Sequence, residues 1–287
     1  MNKKIKILFE LVKIRITLFV TVTTAFGYIA AIGRIDLQII PVLVGVLFLA
    51  FGSATLNHYQ EKDFDVKMDR TKSRPIPSGR ISSVNALNIS LLLVLSGSLI
   101  LLIGANLLAL GLGLLNLVWY NFVYTLLKRK TPFAIVPGSL VGAIPPAIGW
   151  VAAGGPLLDP QIIVIAFFFF IWQIPHFWLL LLVLDKDYRQ GGFPTLTEVF
   201  SREQLLRITF VWIMATAVTG LMIPLFGIVT EVWINLGLFL SGALLTWKAF
   251  GLLVNTNDYK IFSYNFRYIN YFALVVVVLI SIDKLIF

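Results

Sequence analysis

Apolar residues in this chain come in long runs rather than in the alternating or striped patterns of a soluble domain. Nine runs approach the length of about 20 residues that an α-helix needs to cross a bilayer. They lie near residues 14–33, 38–57, 84–104, 106–126, 134–153, 161–184, 206–226, 231–251 and 266–286. The pattern predicts an all-α polytopic membrane protein whose roughly nine transmembrane helices form one domain over residues 1–287.

The composition agrees with this pattern. Of the 287 residues, 59% are hydrophobic and 13% are charged, whereas soluble domains average roughly 45–50% apolar and about 25% charged residues. A soluble globule and a disordered protein are therefore excluded. The chain has no cysteine, which excludes disulfides, thiolate metal sites and cysteine nucleophiles.

The basic residues predict how the chain crosses the membrane. If nine spans are threaded in order, all but two of the 23 Lys and Arg residues fall on one side, and only Arg34 and Lys284 fall on the other. The positive-inside rule then predicts a plasma-membrane protein with a cytoplasmic N-terminus and an external C-terminus. The net charge of +9 reflects this topology, so we expect no nucleic-acid partner.

Two longer loops on the basic side, about 57–83 and 185–205, mix acids with bases and are the predicted active-site face. In the first, polar residues recur at every fourth position: Asn57, Glu61, Asp65 and Asp69. They share one helix face if the second span continues beyond the membrane core. Such oxygen ligands suit Mg²⁺ together with substrate phosphates. The alternative is a solvated loop whose acids pair with its own basic residues. It is less favoured because polar groups at the end of a membrane span are costly and usually functional.

Candidate phosphate-binding groups lie beside these acids. In the first loop they are Arg70, Lys72, Arg74 and Arg80. In the second loop, Lys186 and Arg189 flank the carboxylates of Asp185 and Asp187, which would hold a second metal or stabilise a leaving group. Carboxylates that hold Mg²⁺ beside bases that bind phosphate oxygens describe a diphosphate site.

Other polar residues lie within or at the ends of spans. Gln173 and His176 are one helical turn apart in the sixth span, where a functional and a structural role are both open. At the end of the fourth span, tyrosines and basic residues favour an interfacial anchor by residue type. Tyr124 and Lys128 of this cluster are also candidate substrate contacts.

A diphosphate site at one face of a membrane bundle predicts a lipid diphosphate substrate whose hydrocarbon tail lies in the apolar interior. Cleavage of a prenyl diphosphate leaves an allylic carbocation, which aromatic rings shield by cation–π attraction. A small-solute transporter is the alternative from another class. Transporters, however, carry ionic sites near the midplane, whereas the charges of this chain gather at one face.

Several segments resemble the UbiA-type intramembrane prenyltransferases, and among them the haem-farnesylating branch. Asn57-x-x-x-Glu61-x-x-x-Asp65 is similar to the family's N-x-x-x-D-x-x-x-D motif. The other similar segments follow in order: Asp63 to Pro75, Tyr124 to Pro132, Gly142 to Trp150, Trp172 to Trp178, and Asp187-Tyr188 to Pro194. Together they run from about residue 57 to residue 196.

The resemblance implies a nine-helix fold and transfer of a farnesyl group from farnesyl diphosphate to a vinyl group of haem b, giving haem O and diphosphate. It implies Mg²⁺ as cofactor, the lipid bilayer as setting and a downstream haem-modifying enzyme as a further partner. The implied metal and catalytic residues are Asn57, Glu61, Asp65 and Asp187. Substrate contacts are implied at Arg70 and Arg74, and we add Tyr188 from the second acidic segment.

The chain also departs from the family pattern. Glu61 replaces the usual first aspartate and lengthens the arm of the carboxylate. The other departures are Ile14 for Pro, Ala134 for Asn, Val183 for Asp and Thr195 for Met. The alternatives are a quinone precursor or another lipid as acceptor, and a non-catalytic assembly factor that binds haem or lipid.

Overall fold

The structure is a computed structural model that describes residues 3–254 and 260–287. A short helix, α1 (Lys3–Leu11), comes first. Nine helices of the described part are long and apolar enough to cross a membrane: α2 (Ile14–Ile32), α3 (Ile39–Asp65), α4 (Ser83–Gly104), α5 (Leu107–Leu127), α6 (Pro132–Ala152), α7 (Pro160–Val183), α9 (Arg202–Phe226), α10 (Val232–Val254) and α11 (Ile261–Ile286). A six-residue helix, α8 (Asp185–Gln190), follows α7.

Each predicted span is therefore confirmed, within a few residues at most ends. Residues 255–259, in the loop predicted between the last two spans, lie outside the described residues. The closely joined runs near residue 105 are two helices, because the Asn106 side chain accepts a hydrogen bond from the Ala109 amide (2.8 Å) and starts α5. Ser82 caps α4 in the same way, through the Asn85 amide.

The second span continues beyond residue 57, as the spacing of its polar residues required, but it ends at Asp65. The Thr71 hydroxyl donates a hydrogen bond to the Asp65 carbonyl (2.9 Å), and the chain then turns away from the helix axis. Asp69 consequently lies outside the helix, where it is exposed and bonded to Lys72 (2.6 Å). The prediction that Asp69 extends the polar face of the helix was wrong.

Glycines let the spans approach one another closely. A Cβ added at Gly149 of α6 would lie 1.9 Å from the Thr24 carbonyl oxygen of α2, and one added at Gly27 would lie 1.9 Å from the Pro146 carbonyl oxygen. Small residues at helix interfaces permit the close packing that holds membrane bundles together. The backbones of α2 and α6 are therefore in contact.

The helix α7 lies inside the bundle and contacts α6, α9 and α11. Its Phe168 and Phe169 are fully buried and belong to the main hydrophobic cluster. Because α3 and α7 are the second and sixth spans, both end on the face that carries the N-terminus. We call this the site face, and the loops after α3 and α7 both lie there.

We predict that Gly149→Ala destabilises the fold, because the new methyl group meets backbone atoms that no rotamer change can move. Overpacking of this kind costs about 1–3 kcal/mol. Gly111→Ala is the matched control, since a Cβ at that α5 position meets nothing within 4 Å. Thermal unfolding in detergent checks the pair. Equal melting temperatures for both variants would contradict the close approach of α2 and α6.

Candidate active site

Three polar residues form a buried stripe along the end of α3. Asn57, Glu61 and Asp65 are spaced four apart and therefore share one helix face. Their exposed fractions are 1%, 6% and 0%. Carboxylates are buried at this depth only when opposite charges or hydrogen bonds compensate the loss of water. The stripe thus marks a place where the bundle concentrates charge.

Three basic side chains meet the stripe, one at each member. Lys13 Nζ donates to Asn57 Oδ1 (2.7 Å), Lys128 forms an ion pair with Glu61, and Arg74 donates to both carboxylate oxygens of Asp65 (2.8 and 2.9 Å). The three cations come from different segments: the residue before α2, the loop after α3 and the end of α5. The arrangement balances buried charge across the bundle.

The environment shifts the pKa of two of these lysines in opposite directions. Burial and the nearby Arg74 guanidinium lower the pKa of Lys13 to about 7. Burial also acts to lower the pKa of Lys128, but the Glu61 carboxylate and three neighbouring tyrosines together outweigh burial and hold that pKa above its ordinary value. Lys128 is therefore a fixed cation, whereas Lys13 sits where an added anion would favour its charged form.

The second acidic loop reaches the same region. Asp187 of α8 pairs with Arg70 of the first loop at 3.7 Å. The Phe193 ring contacts Phe64 of α3 (5.0 Å between centroids) and Tyr188 (5.5 Å). The predicted meeting of the two loops is therefore present in the structure, and it brings Asp187 and Tyr188 to the end of α3.

An aromatic wall adjoins the stripe. Tyr124 stacks between Tyr120 (5.9 Å) and Phe177 (5.6 Å), and the Lys128 ammonium lies 5.5 Å from the Tyr124 ring centroid and 5.7 Å from that of Phe193. Tyr124 is 7% exposed. For Tyr124 and Lys128 the favoured interpretation as an interfacial anchor was therefore wrong, because both contact the interior of the bundle rather than the headgroup region.

Three other predicted substrate contacts are exposed. Lys72 bonds Asp69 (2.6 Å), and Arg189 pairs with Asp185 (2.9 Å) and donates to Thr197 (2.5 Å). Lys186 is likewise exposed. The structure places these side chains in the two loops without joining them to the stripe.

The polar residues of α7 have their own surroundings. His176 Nδ1 lies 2.8 Å from Asn270 Oδ1 of α11, and the imidazole packs against Trp172 (4.8 Å) and Phe266 (4.9 Å). Gln173 lies close against Gly142 of α6: a Cβ added at Gly142 would be 2.4 Å from the Oε1 atom of Gln173. Asn270 had no signal in the sequence beyond a polar residue within the last span.

The helix α5 contains a π-helical turn, Trp119–Tyr124, which places Asn121 against α3. Asn121 Oδ1 accepts from the Ser53 hydroxyl (2.6 Å), and its Nδ2 donates to the Ser53 carbonyl (3.0 Å) and to Gln60 Oε1 (3.1 Å). Such π-bulges occur frequently at functional sites. In the sequence, Asn121 is only a single polar residue near the end of the fourth span, and nothing there indicates this role.

The same turn supports the stripe directly. The Thr125 hydroxyl accepts a hydrogen bond from Asn57 Nδ2 (3.2 Å) and donates to the Tyr120 carbonyl (2.8 Å). Both the amide group of Asn57 and the register of α5 are thereby fixed. Lys128 lies one turn after Tyr124. The π-helical turn therefore sets the position of the aromatic wall and of the Lys128 ammonium that pairs with Glu61.

The donor chemistry of the stripe fits a magnesium–diphosphate unit. The three oxygen-bearing side chains of Asn57, Glu61 and Asp65 are of the type that Mg²⁺ prefers, and each already holds a cationic group. Within residues 3–254 and 260–287, no three His, Asp or Glu side chains are grouped tightly enough to hold a metal by themselves. A cation that bridges the stripe to phosphate oxygens fits these residues better than an all-protein cage.

The chain is similar to known proteins along most of its length. The model of the UbiA prenyltransferase family matches residues 18–271. The chain is 35% identical over 239 residues to a protein of Nitratidesulfovibrio vulgaris (strain DP4), covering 83% of each chain. It is 41% identical over 186 residues to one of Geobacter sulfurreducens, covering 65% of this chain and 68% of that one. Both relatives bear the name protoheme IX farnesyltransferase.

Solved structures share the fold at lower identity. A structure described for digeranylgeranylglyceryl phosphate synthase has a TM-score of 0.80 at 16% identity and covers 99% of both chains. A UbiA homologue of Archaeoglobus fulgidus bound to GPP and Mg²⁺ has a TM-score of 0.68 at 16% identity and covers 96% of this chain and 99% of that one.

The chain belongs to the UbiA prenyltransferase family. The resemblance of its sequence to the haem-farnesylating branch is confirmed by the curated relatives.

We predict that Arg74→Leu destabilises the protein by about 3–5 kcal/mol, because it leaves the Asp65 carboxylate buried without its cation. Lys72→Leu is the matched control from the same loop, since its pair with Asp69 is exposed on both sides. An exposed pair is worth about 1 kcal/mol or less. The free energy of unfolding in detergent separates the two variants, and equal losses would refute the buried charge balance.

We also predict that Asn121→Leu lowers kcat for prenyl transfer about tenfold or more, since the π-helical turn loses its bonds to α3 and Lys128 shifts relative to Glu61. Asn116→Leu is the control, because Asn116 lies on the same helix and its Oδ1 has no hydrogen-bond partner. Steady-state kinetics give kcat and KM. Unchanged kcat in a folded Asn121→Leu protein would show that the network is only structural.

Proposed function

We propose that this chain transfers a farnesyl group from farnesyl diphosphate to a vinyl group of haem b, giving haem O and diphosphate, with Mg²⁺ as cofactor. The observation that carries the proposal is the buried Asn57–Glu61–Asp65 stripe with one cation at each member. The names of the curated relatives support haem as the acceptor. The homologue bound to GPP and Mg²⁺ supports a metal-held prenyl diphosphate.

The stripe residues would hold the metal, with Asp187 from the second loop. Bound Mg²⁺ neutralises charge that develops on the departing diphosphate. Arg74, Lys128 and Lys13 lie beside these residues, where they would also bind phosphate oxygens. Arg74 suits this role best, because its planar guanidinium matches a phosphate with two parallel hydrogen bonds.

The reaction breaks the carbon–oxygen bond to the diphosphate, and the bonding electron pair leaves with the diphosphate. The allylic carbon that remains is electron-poor and attracts the faces of aromatic rings. Tyr120, Tyr124 and Phe177 form the aromatic wall beside Lys128. The π electrons of the acceptor vinyl group then form the new carbon–carbon bond, which moves the positive charge to the second vinyl carbon. Addition of water at that carbon and loss of a proton complete the product, and no protein nucleophile is required.

The aromatic surroundings of His176 support a flat aromatic acceptor. Asn270 Nδ2 donates to the Phe266 carbonyl (2.6 Å), so its Oδ1 is the acceptor for His176 Nδ1–H. This bond leaves the lone pair on Nε2 and fixes the ring orientation. An imidazole of this tautomer, flanked by Trp172 and Phe266, suits contact with a porphyrin and its iron. Gln173, one turn earlier on α7, lies against α6 and is a second polar group within the same span.

The site face belongs in the cytoplasm of a plasma-membrane protein under the positive-inside rule. A membrane-bound enzyme that modifies haem O further is the partner expected to take a product this apolar. A quinone precursor remains the alternative acceptor within the same reaction class, and no observation in the structure favours a transporter over it.

The decisive experiment expresses the chain in membranes that lack haem O and supplies Mg²⁺, farnesyl diphosphate and haem b. We predict haem O by mass spectrometry from the wild type and at least about a hundredfold less from Asp65→Asn, which weakens the metal and diphosphate contacts. Asp63→Asn is the control, because Asp63 is an exposed carboxylate on the same turn of α3.

Each other outcome has a definite meaning. Diphosphate release only with a quinone precursor would replace haem as the acceptor and keep the reaction class. Full activity in Asp65→Asn would remove the stripe from the mechanism. Absence of product with every acceptor would contradict the proposed activity and return the chain to the transporter or assembly-factor hypotheses.

A further inference from the structure

A groove lies on the site face between α1 and the start of α4, outside the site described above. Its volume is about 560 Å³. Leu8 and Ile89 contribute to its apolar floor, and Lys4, Arg80, Asn85 and Asn88 bring polar groups to it. The combination of an apolar floor with cations and amides indicates an amphiphilic ligand that carries an acidic group.

We propose that this groove binds one molecule of an anionic phospholipid. The phosphate would lie at Lys4 and Arg80, the ester region at Asn85 and Asn88, and an acyl chain along α4. Nothing in the proposed reaction requires such a site.

The outer face of α4 carries groups in the order in which a phospholipid presents them. Asn85 and Asn88 are exposed, and they share an arc of the helix with Leu92, Leu95 and Leu99. These leucines are 66%, 68% and 56% exposed. From Asn88 to Leu99 the helix rises about 16 Å, close to the roughly 15 Å of one hydrocarbon leaflet. Amides at the interface and leucines below match an ester region above an acyl chain.

The helix α1 supplies the other wall at the depth of the headgroups. It precedes the first span and exposes both basic and apolar side chains: Lys4, Ile5, Lys6, Leu8 and Phe9. A helix of this composition lies in the membrane interface and is attracted to anionic lipids. The groove therefore opens to the region where phospholipid headgroups are found.

Arg80 connects the groove to the rest of the site face. Its guanidinium pairs with Glu10 of α1 (2.5 Å), which lowers the pKa of that carboxyl, and its Nε donates to the Ser78 hydroxyl (2.9 Å). It also donates to the Ser73 carbonyl, next to Arg74. A phosphate at Arg80 would thus hold α1 and the loop after α3 together.

Charge decides between a phospholipid and the prenyl diphosphate. The polar residues that line the groove are two cations and two amides, and none is an acid; Glu10, which pairs with Arg80, is not among the lining residues. A diphosphate in this protein is expected to bring Mg²⁺, which needs carboxylates. A phosphodiester carries a single charge and is bound by basic groups alone. The lining therefore fits a phospholipid headgroup better than the reaction substrate.

The test uses the purified full chain, incubated with phosphatidylglycerol and phosphatidylcholine at equal concentration and then examined by native mass spectrometry. We expect one retained phosphatidylglycerol. Lys4→Glu lowers the retained fraction about fivefold or more, because one cation near the headgroup is lost and a repulsive charge is gained. Lys6→Glu is the matched control: it makes the same charge change on the same helix at a position that does not line the groove.

A second variant guards against a disturbed α1. Asn88→Leu removes an amide from an exposed helix position and also lowers retention, at an unchanged melting temperature. Equal loss in Lys4→Glu and Lys6→Glu would overturn the proposal in favour of general surface charge. Equal retention of the two lipids would overturn it as well. Displacement of the lipid by farnesyl diphosphate without Mg²⁺ would assign the groove to the substrate instead.

Discussion

Burial of two carboxylates at the end of α3 is the constraint on which the site face depends. Glu61 and Asp65 are almost fully enclosed, and each ion taken out of water costs several kcal/mol unless a partner replaces the water. The partners come from the end of α5 and from the loop after α3. Neither segment can be placed independently of α3, so the charge balance fixes the loop and the helix end as well.

The approach of the spans makes this balance possible. Glycines at the α2–α6 contact, together with Gly45, Gly52 and Gly97 at the contact of α3 with α4, remove the side chains that would hold the backbones apart. Bonds such as that of the Ser90 hydroxyl to the Gly52 carbonyl (2.7 Å) then form across helices. Apolar packing and polar pairing thus depend on one another: without the close approach the cations would not reach the stripe, and without the cations its carboxylates would not stay buried.

The sequence predicts those features that repeat along the chain. The length of the apolar runs gives the nine spans, and the four-residue spacing gives Asn57, Glu61 and Asp65 as one face. Where that spacing continued, Asp69 was included wrongly, because the helix end depends on the Thr71 hydroxyl rather than on periodicity.

Partners that lie far apart in the chain are not predictable in this way. Lys13 is 44 residues from Asn57, Ser53 is 68 from Asn121, and His176 is 94 from Asn270. In the sequence, Lys13 is only one of the basic residues that predict the orientation of the chain in the membrane. Asn121 and Asn270 are single polar residues in apolar runs. Their roles follow from which helix faces meet, which is decided by packing across the whole bundle.

The charge count at the stripe fits the binding of an anionic ligand. Three basic side chains face two carboxylates and one neutral amide, so positive charge exceeds negative charge by one when Lys13 is protonated. Burial, and after it the nearby Arg74 guanidinium, lowers the pKa of Lys13, so the charged form of Lys13 has a cost that an added anion would relieve. A magnesium–diphosphate unit of net negative charge would remove the excess. Its binding would exchange internal ion pairs for ligand contacts, so that no buried charge would be left unpaired.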